Sequence, residues 1–185
     1  TSGTWGGGAG TFTPNNNTLN AVYTPSAAEE AAGSVTLTLV SNDPAGPCPV
    51  ATSTVTITIN PIATIDAGAD QTTCIGGSIT LAGIIGGGAT SGTWSGGAGT
   101  FAPNATTANA TYTPSAAEEA AGTVTLTFTS DDPAGPCASV NDQMVITITQ
   151  LPTVGAGLDQ TICNGSTATL SGTIGGAATS ATWTG

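Results

Sequence analysis

Cysteine is the residue type in this chain with the most evident chemistry, because two thiols can join in a disulfide. The four cysteines are Cys48, Cys74, Cys137 and Cys163. Cys48 and Cys137 lie 89 residues apart, and so do Cys74 and Cys163. Two thiols in each stretch of that length predict one bridge per stretch, and Cys74 with Cys137 is the pair that falls within one stretch.

Carboxylates in predicted loops form a second set of reactive residues. They are Asp66, Asp70, Asp131 and Asp132, together with Asp142 in the same loop as the last two. Carboxylate oxygens are ligands that Ca²⁺ takes, so calcium is the one candidate cofactor. The spacing of these residues matches no calcium-binding loop such as the EF-hand, and the favoured interpretation is therefore that they are solvated carboxylates in turns.

Catalysis is disfavoured by the residue types that the chain lacks. It contains no lysine, arginine or histidine, whereas a chain of this length ordinarily has roughly 20 basic residues. A serine, threonine or cysteine nucleophile then has no ordinary general base near neutral pH, and we predict that the chain is not an enzyme. The net charge of −11 excludes nucleic acids and anionic membranes as partners, and no apolar run is long enough to span a bilayer.

Two motifs resemble catalytic ones but favour a structural interpretation. The glycine run SGGAG at 95–99 lacks the Lys-Ser/Thr of a phosphate-binding loop, so it predicts a tight turn. Glu118 and Glu119 are adjacent and do not face each other across a substrate as glycosidase carboxylates do. We predict that they belong to a solvated connection between two strands.

The elements that position these residues recur with a fixed period. Trp5, Trp94 and Trp183 are also spaced by 89 residues, in the phrases TSGTW, TSGTW and TSATW. Such self-similarity indicates a tandem array of one module. Because the chain begins in mid-repeat without Met, we predict a window on a longer polymer. Its predicted modules are a partial one over 1–60, a complete one over 61–150 and a partial one over 151–185.

Alternation of Thr with Val, Ile, Leu or Phe predicts β-strands with one buried face, and Gly-Pro clusters such as DDPAGPC at 131–137 predict turns. In the complete module we predict strands A 62–66, B 78–84, C 91–96, D 99–101, E 109–114, F 123–130 and G 144–150. About seven strands per repeat indicate an all-β fold of tandem immunoglobulin-like Greek-key β-sandwiches. The partial modules then contain strands C to G and strands A to C, and SAAEEAAG at 115–122 predicts a single helical turn.

The predicted strands bear on the tryptophans and the cysteines. Trp5, Trp94 and Trp183 fall on strand C, where a tryptophan is the usual core anchor of such sandwiches; an exposed, sugar-stacking role is the alternative. If the strands alternate in direction, the start of strand B and the end of strand F lie at opposite poles, roughly 20 Å apart, whereas a disulfide needs Cα atoms within about 7 Å. Cys74 therefore has three open fates: a bridge to Cys137, a bridge to the next domain or a neighbouring chain, or a free thiol.

The phrases DAGADQTTC, SITLAG, SGTWSG, YTPS, VTLTFTSDDPAGPC and VITIT together resemble the PKD-like, immunoglobulin-like repeats of giant Bacteroidota surface proteins, many of them exported by the type IX secretion system. The resemblance covers every repeat. It implies cell-surface adhesins or filaments, and it identifies no ligand.

The leading functional prediction is a non-catalytic structural repeat of an extracellular filament or a giant cell-surface adhesin. Its expected partners are neighbouring repeats and other copies, with surface glycans as a further candidate. The absence of lysine excludes Lys-Asn isopeptide staples, so cysteines are the expected covalent links. The alternative prediction is a carbohydrate-binding or calcium-dependent partner-binding module on a secreted protein.

Overall fold

The protein is described by a computed structural model that covers residues 2–43, 48–133 and 135–184. Its chain separates into two compact units. The first comprises Thr1–Ala63 together with Asp132–Ala138, and the second comprises Thr64–Asp131 together with Ser139–Gly185.

Among its described residues the first unit has the strands and the short helix β1 (Gly3–Gly6), β2 (Thr11–Thr13), β3 (Val22–Thr24), α1 (Ala27–Ala32), β4 (Ser34–Ser41) and β5 (Thr52–Thr58). Strands β1, β4 and β5 form an antiparallel sheet in that order, and β2 pairs with β3. The outer edges of β5 and β3 carry no further strand among the described residues.

The second unit begins with strand β6, whose first residue is assigned to the first unit, and contains eleven strands and one helix. They are β6 (Ala63–Asp66), β7 (Gln71–Cys74), β8 (Ile79–Thr80), β9 (Ile84–Gly87), β10 (Gly92–Ser95), β11 (Thr100–Ala102), β12 (Thr111–Thr113), α2 (Ala116–Ala121), β13 (Thr123–Ser130), β14 (Asn141–Thr149), β15 (Thr153–Gly155) and β16 (Thr173–Gly175).

Two sheets of the second unit enclose its core. One has the order β10-β13-β14-β7 and the other the order β11-β12-β8, while β6 pairs with β9 and β15 with β16. Strand β14 pairs with β7 in parallel, whereas the other pairings within the two larger sheets, and that of β15 with β16, are antiparallel. The predicted all-β sandwich class is confirmed.

The core follows from the alternation in the two long strands. Val124, Leu126 and Phe128 of β13 are buried, while the threonines between them are exposed or half-buried. Met144, Ile146 and Ile148 of β14 are buried in the same way. A period of two places every second side chain on one face of a strand, so the apolar residues of both strands meet in one cluster.

The sequence-based strand assignments need three corrections. Strand β7 at Gln71–Cys74 was not predicted, because QTTC has no apolar alternation; it forms because its backbone pairs in parallel with the edge of β14. Predicted strand B is divided into β8 and β9, and predicted strand G begins earlier, at Asn141. The turn predicted at DDPAGPC includes Ala134, and its counterpart in the first unit includes residues 44–47; these lie outside the described residues.

Replacing Leu126 with alanine tests the core directly. This side chain is fully buried, so Leu126→Ala is expected to destabilise the second unit by about 3 kcal/mol, through lost burial and the cavity that remains. Leu158→Ala is the matched control, because Leu158 is 90% exposed and its loss is expected to change stability by less than about 0.5 kcal/mol. Urea denaturation measures both, and equal midpoints for the two variants would contradict this core.

Candidate functional site

The most connected polar group of the second unit is the carboxylate of Glu118, on the first turn of α2. Its Oε1 accepts hydrogen bonds from the Tyr112 hydroxyl and the Ala98 N–H, each at 2.7 Å. Its Oε2 accepts from the N–H and the hydroxyl of Ser115, at 2.7 and 2.9 Å. Ser115 is the N-cap of α2 and accepts in return from the Glu118 N–H, so the two residues form a capping box.

The glycine run 95–99 wraps around the Tyr112 hydroxyl. The Gly99 N–H donates to Tyr112 Oη at 2.9 Å. A Cβ added at Gly97 or Gly99 would overlap that hydroxyl, and Gly96 has a φ of +94°, which favours glycine. The run therefore serves the close approach of backbone to a buried phenol, which is consistent with its predicted role as a tight turn.

The same arrangement recurs in the first unit. The Tyr23 hydroxyl donates to Glu29 Oε1 at 2.8 Å, the Ala9 N–H donates to the same oxygen at 2.8 Å, and the Gly10 N–H donates to Tyr23 Oη at 2.8 Å. Ser26 and Glu29 form the equivalent capping box. We call this set of contacts, with Tyr112 and Glu118 or with Tyr23 and Glu29 at its centre, the tyrosine–glutamate lock.

The lock changes the acid–base properties of its members. Burial, followed by the hydrogen bond to Glu118, raises the pKa of Tyr112 to about 12. Burial acts to raise the pKa of Glu118, but donation from Ser115, Tyr112 and Ala98 outweighs it and holds that pKa below its usual value. In the first unit, donation by the Ser26 backbone is the main cause that lowers the pKa of Glu29 to about 2.

The prediction that Glu118 and Glu119 lie in a solvated connection is wrong for Glu118, which is half-buried and fully engaged in the lock. Glu119 accepts from the Gly76 N–H at 2.7 Å. The signal that identifies Glu118 was present in the sequence, because Ser115 followed three residues later by Glu118 is the pattern of a capping box.

Most of the candidate calcium ligands accept hydrogen bonds from the chain itself. Asp66 accepts from the Gly68 N–H at 2.7 Å, and Asp70 accepts from the Val145 N–H at 2.7 Å. Asp131 accepts from the Thr90 hydroxyl at 2.6 Å and the Thr90 N–H at 2.9 Å, and these contacts lower its pKa. Asp132 is exposed.

These aspartates join loops to strands through hydrogen bonds. Asp142, a further carboxylate of the loop between the predicted strands F and G, accepts from the Ala67 N–H at 2.9 Å, and this bond lowers its pKa. Within the part of the chain that the structure describes, no three His, Cys, Asp or Glu side chains form a group that could hold a metal ion.

The four cysteines are thiols in the structure. Cys48, Cys74 and Cys163 are exposed, and Cys137 is half-buried, with its Sγ 3.6 Å from the carbonyl oxygen of Asn60. No bridge between Cys74 and Cys137 is formed in the structure, and the pairing of the cysteines stays a prediction.

The three tryptophans lie in different environments. Trp94 on β10 is 2% exposed and stacks on Phe128 with ring centroids 4.4 Å apart. Trp5 on β1 is half-buried. Trp183 is 59% exposed and lies beside Gly172, outside any described strand.

None of the helices that the structure describes is both long and apolar enough to cross a membrane. Many of the described carboxylates and hydroxyls form hydrogen bonds with backbone N–H groups of the chain. Two open grooves lie on the described surface, one in the first unit at Tyr23 and Val55 and one along residues 154–184.

Comparison with known proteins gives a similarity of fold. No family model matches the chain, and no curated protein matches it. One similar solved structure is human CDH23 EC21-23, with 13% sequence identity, coverage of 96% of this chain and 74% of that chain, and a TM-score of 0.43. A second is mouse clustered PcdhgC3 EC1-3, with 14% identity, coverage of 80% of this chain and 55% of that chain, and a TM-score of 0.40. A third is Protocadherin Gamma B2 extracellular cadherin domains 3-6, with 15% identity, coverage of 83% of this chain and 42% of that chain, and a TM-score of 0.37. The chain thus spans about half or less of the length of several of these structures. The likeness is one of fold.

Removing the phenol tests the lock. Tyr112→Phe keeps the ring but leaves the Gly99 N–H without its acceptor and Glu118 without one donor. We expect a loss of about 1–3 kcal/mol in unfolding free energy, because the partners stay part-buried and unsatisfied. Phe101 packs on the Tyr112 ring with centroids 4.7 Å apart, so Phe101→Leu measures the contribution of that ring contact while the hydroxyl stays in place. An unaltered stability of Tyr112→Phe would contradict the lock.

The lock also predicts a dependence of stability on pH. Because the pKa of Glu118 is lower in the folded chain than the roughly 4.3 of an unfolded glutamate, its contribution is present above that value and is lost as the pH falls through the folded pKa. Glu118→Gln is therefore expected to flatten the loss of stability between pH 5 and pH 3, measured by thermal unfolding. Glu119→Gln is the matched control, and an identical slope in wild type and Glu118→Gln would contradict the role of this carboxylate.

Proposed function

We propose that this chain is a non-catalytic structural repeat of an extracellular filament or of a giant cell-surface adhesin. The observation that carries the proposal is the recurrence of the lock in both units at a spacing of 89 residues, with the same partners and nearly the same distances. A chain that repeats the same internal hydrogen bonds in each module is suited to form a long array of similar modules.

The joint between the modules supports a role in extension. Strand β5 ends at Thr58 and β6 begins at Ala63, so four residues, one of them Pro61, connect them. Proline fixes its own φ angle and restricts the residue before it, which limits the freedom of a short connection.

The surface chemistry supports an extracellular location. A chain without Lys or Arg offers trypsin-like proteases no cleavage site, and the exposed thiols are able to form bridges in an oxidising compartment. The resemblance to Bacteroidota PKD-like repeats favours the cell surface, with export by the type IX route as part of the proposal. Neighbouring repeats and other copies are the proposed partners, and cysteines of adjacent domains or chains are the proposed covalent links.

The alternative, calcium- or glycan-dependent binding, is less well supported. A calcium site needs carboxylate oxygens directed at one point, but Asp66, Asp70 and Asp131 each accept hydrogen bonds from backbone N–H groups at separate places. A flat glycan platform needs several exposed aromatic rings, but Trp94 is buried and Trp5 half-buried, so that Trp183 alone of the three tryptophans is exposed.

Electron microscopy of native material, without reductant and again after reduction, tests the proposal. The account predicts fibres wider than one domain whose axial repeat is commensurate with domains about 30–40 Å long, since the nine residues of β14 span about 30 Å. Loss of the fibres on reduction would assign the cysteines to links between domains or chains. Single thin beaded strands, unchanged by reduction, would contradict the filament and leave an adhesin stalk; scattered monomeric particles would contradict both.

A further inference from the structure

In each unit, a residue at the end of the last long strand contacts a cysteine, and the two cysteines are not counterparts in the repeat. In the second unit, Cys74 is the last residue of β7 and pairs with Thr149, the last residue of β14. The Thr149 hydroxyl donates to Cys74 Sγ at 3.6 Å, and the Ile75 N–H donates to the Thr149 carbonyl at 3.0 Å. The backbone pairing thus fixes Cys74 beside Thr149.

The first unit has a cysteine beside the corresponding residue. Asn60 precedes Thr149 by 89 residues and follows β5, which is the counterpart of β14. The Cys137 thiol donates to the carbonyl oxygen of Asn60 at 3.6 Å. Because this contact is with the main chain, it does not depend on the difference between Asn and Thr at the two positions.

The loop that carries Cys137 packs closely on the same residue. Residues Asp132–Ala138 belong to the first unit. A Cβ added at Gly135 would overlap the side-chain amide nitrogen of Asn60, and Gly135 has a φ of +99°, which favours glycine. Cys137 is half-buried. Two residues of the loop, Gly135 and Cys137, therefore hold it against Asn60.

The geometry of β14 opposes a bridge between Cys74 and Cys137. The loop that carries Cys137 leaves β13 at Ser130 and enters β14 at Asn141, whereas Cys74 pairs with Thr149 at the other end of β14. Eight residues of strand lead from Asn141 to Thr149, which is about 26 Å. The four residues from Cys137 to Asn141 span at most about 14 Å. The two Cα atoms therefore stay further apart than the roughly 7 Å that a disulfide allows.

We propose that Cys74 forms a disulfide with the cysteine at the Cys137 position of the module that follows. Cys137 contacts Asn60, which precedes its own module, and Cys74 contacts Thr149, which is the same position of the repeat. In an array of modules, both thiols lie against the residue at the end of the last strand. One thiol belongs to the module that this strand completes, and the other belongs to the next module.

Formation of the bridge is an oxidation by thiol–disulfide exchange. One protein thiolate attacks a small disulfide, such as oxidised glutathione, and releases one glutathione thiolate. The second protein thiolate then attacks the protein sulfur of the mixed disulfide and releases the other glutathione. The protein thiols lose two protons and two electrons, and the small disulfide gains them. Cys74 is exposed and therefore accessible to such an oxidant.

The bridge ties consecutive modules together beside the short connection between them. Strand β14 ends at Thr149 and β15 begins at Thr153, so the main chain passes to the next module within a few residues. A disulfide across the same joint carries tension in parallel with the main chain and restricts rotation about the connection. A chain without lysine thus obtains a covalent link at each joint from its cysteines.

A chain that supplies a following module tests the pairing. The 185-residue chain is extended at its end by a second copy of residues 97–185, which continues the repeat in register because Gly96 and Gly185 are counterparts. It is folded with oxidised and reduced glutathione, its free thiols are alkylated, and mass spectrometry of peptic peptides identifies the bridges. We expect the peptide of Cys74 linked to that of Cys137 from the second copy.

Single substitutions separate this pair from the alternatives. Cys74→Ser, and Cys137→Ser in the second copy, are each expected to abolish the linked peptide. Cys137→Ser in the first copy is the matched control and is expected to leave the link intact, because it removes the same residue from the module that contains Cys74. Circular dichroism of the reduced chains shows whether each variant is folded.

Two results in the folded, extended chain would overturn the proposal: a bridge from Cys74 to the first-copy Cys137, or a Cys74 that is alkylated. If the extended chain does not fold, alkylation of native material without reduction decides in the same way, because Cys74 is then either linked to a loop cysteine or alkylated.

The proposal rests on the array proposed above, but the two fail separately. Native fibres or stalks in which Cys74 is alkylated would refute the bridge and leave the array standing. The expected link in the extended chain, together with scattered monomeric particles in native material, would refute the array and leave the pairing of the two cysteine positions standing.

Discussion

Closure of the two sheet edges is the constraint on which this repeat depends. The residues that precede the tryptophan strand supply backbone to both sheets at once, through β7 on β14 and β8 on β12. Where they are in place, Tyr112 and Met144 are fully buried; where they are not, the counterpart Val55 is exposed and a groove opens. Burial of apolar surface and pairing of edge backbone are therefore coupled in this fold.

The absence of cations shapes the rest of the structure. With no lysine, arginine or histidine, a carboxylate that is partly buried must find N–H and O–H donors of the chain itself. Glu118 does so with Tyr112 and the glycine loop, and Asp70 and Asp142 do so with backbone N–H groups that join separate segments of the sandwich. These carboxylates thus join loops to strands, and the arrangement of Glu118 recurs at Glu29 in the first unit.

The amino-acid sequence predicts well the elements whose formation is determined by the residues within them. Strand β13 has the predicted bounds 123–130 because Thr and apolar residues alternate along it, and Trp94 lies on the predicted strand. Strand β7 escaped prediction because its formation depends on a partner edge some 70 residues away, and QTTC carries no pattern of its own. The partly buried position of Glu118 depends on the capping box together with the tyrosine and the glycine run, so neither motif predicts it alone. The exposure of Trp183 depends on whether other strands cover its side chain, and the 89-residue spacing of the tryptophans does not predict this.

The most direct measurement is hydrogen exchange of the wild-type chain, followed by mass spectrometry at several protein concentrations. If edge pairing holds the sandwich together, the amides of β14, whose outer edge pairs with β7, exchange slowly at every concentration, and those of β5, whose outer edge carries no strand among the described residues, exchange faster. Equal exchange rates in β5 and β14 would contradict the account.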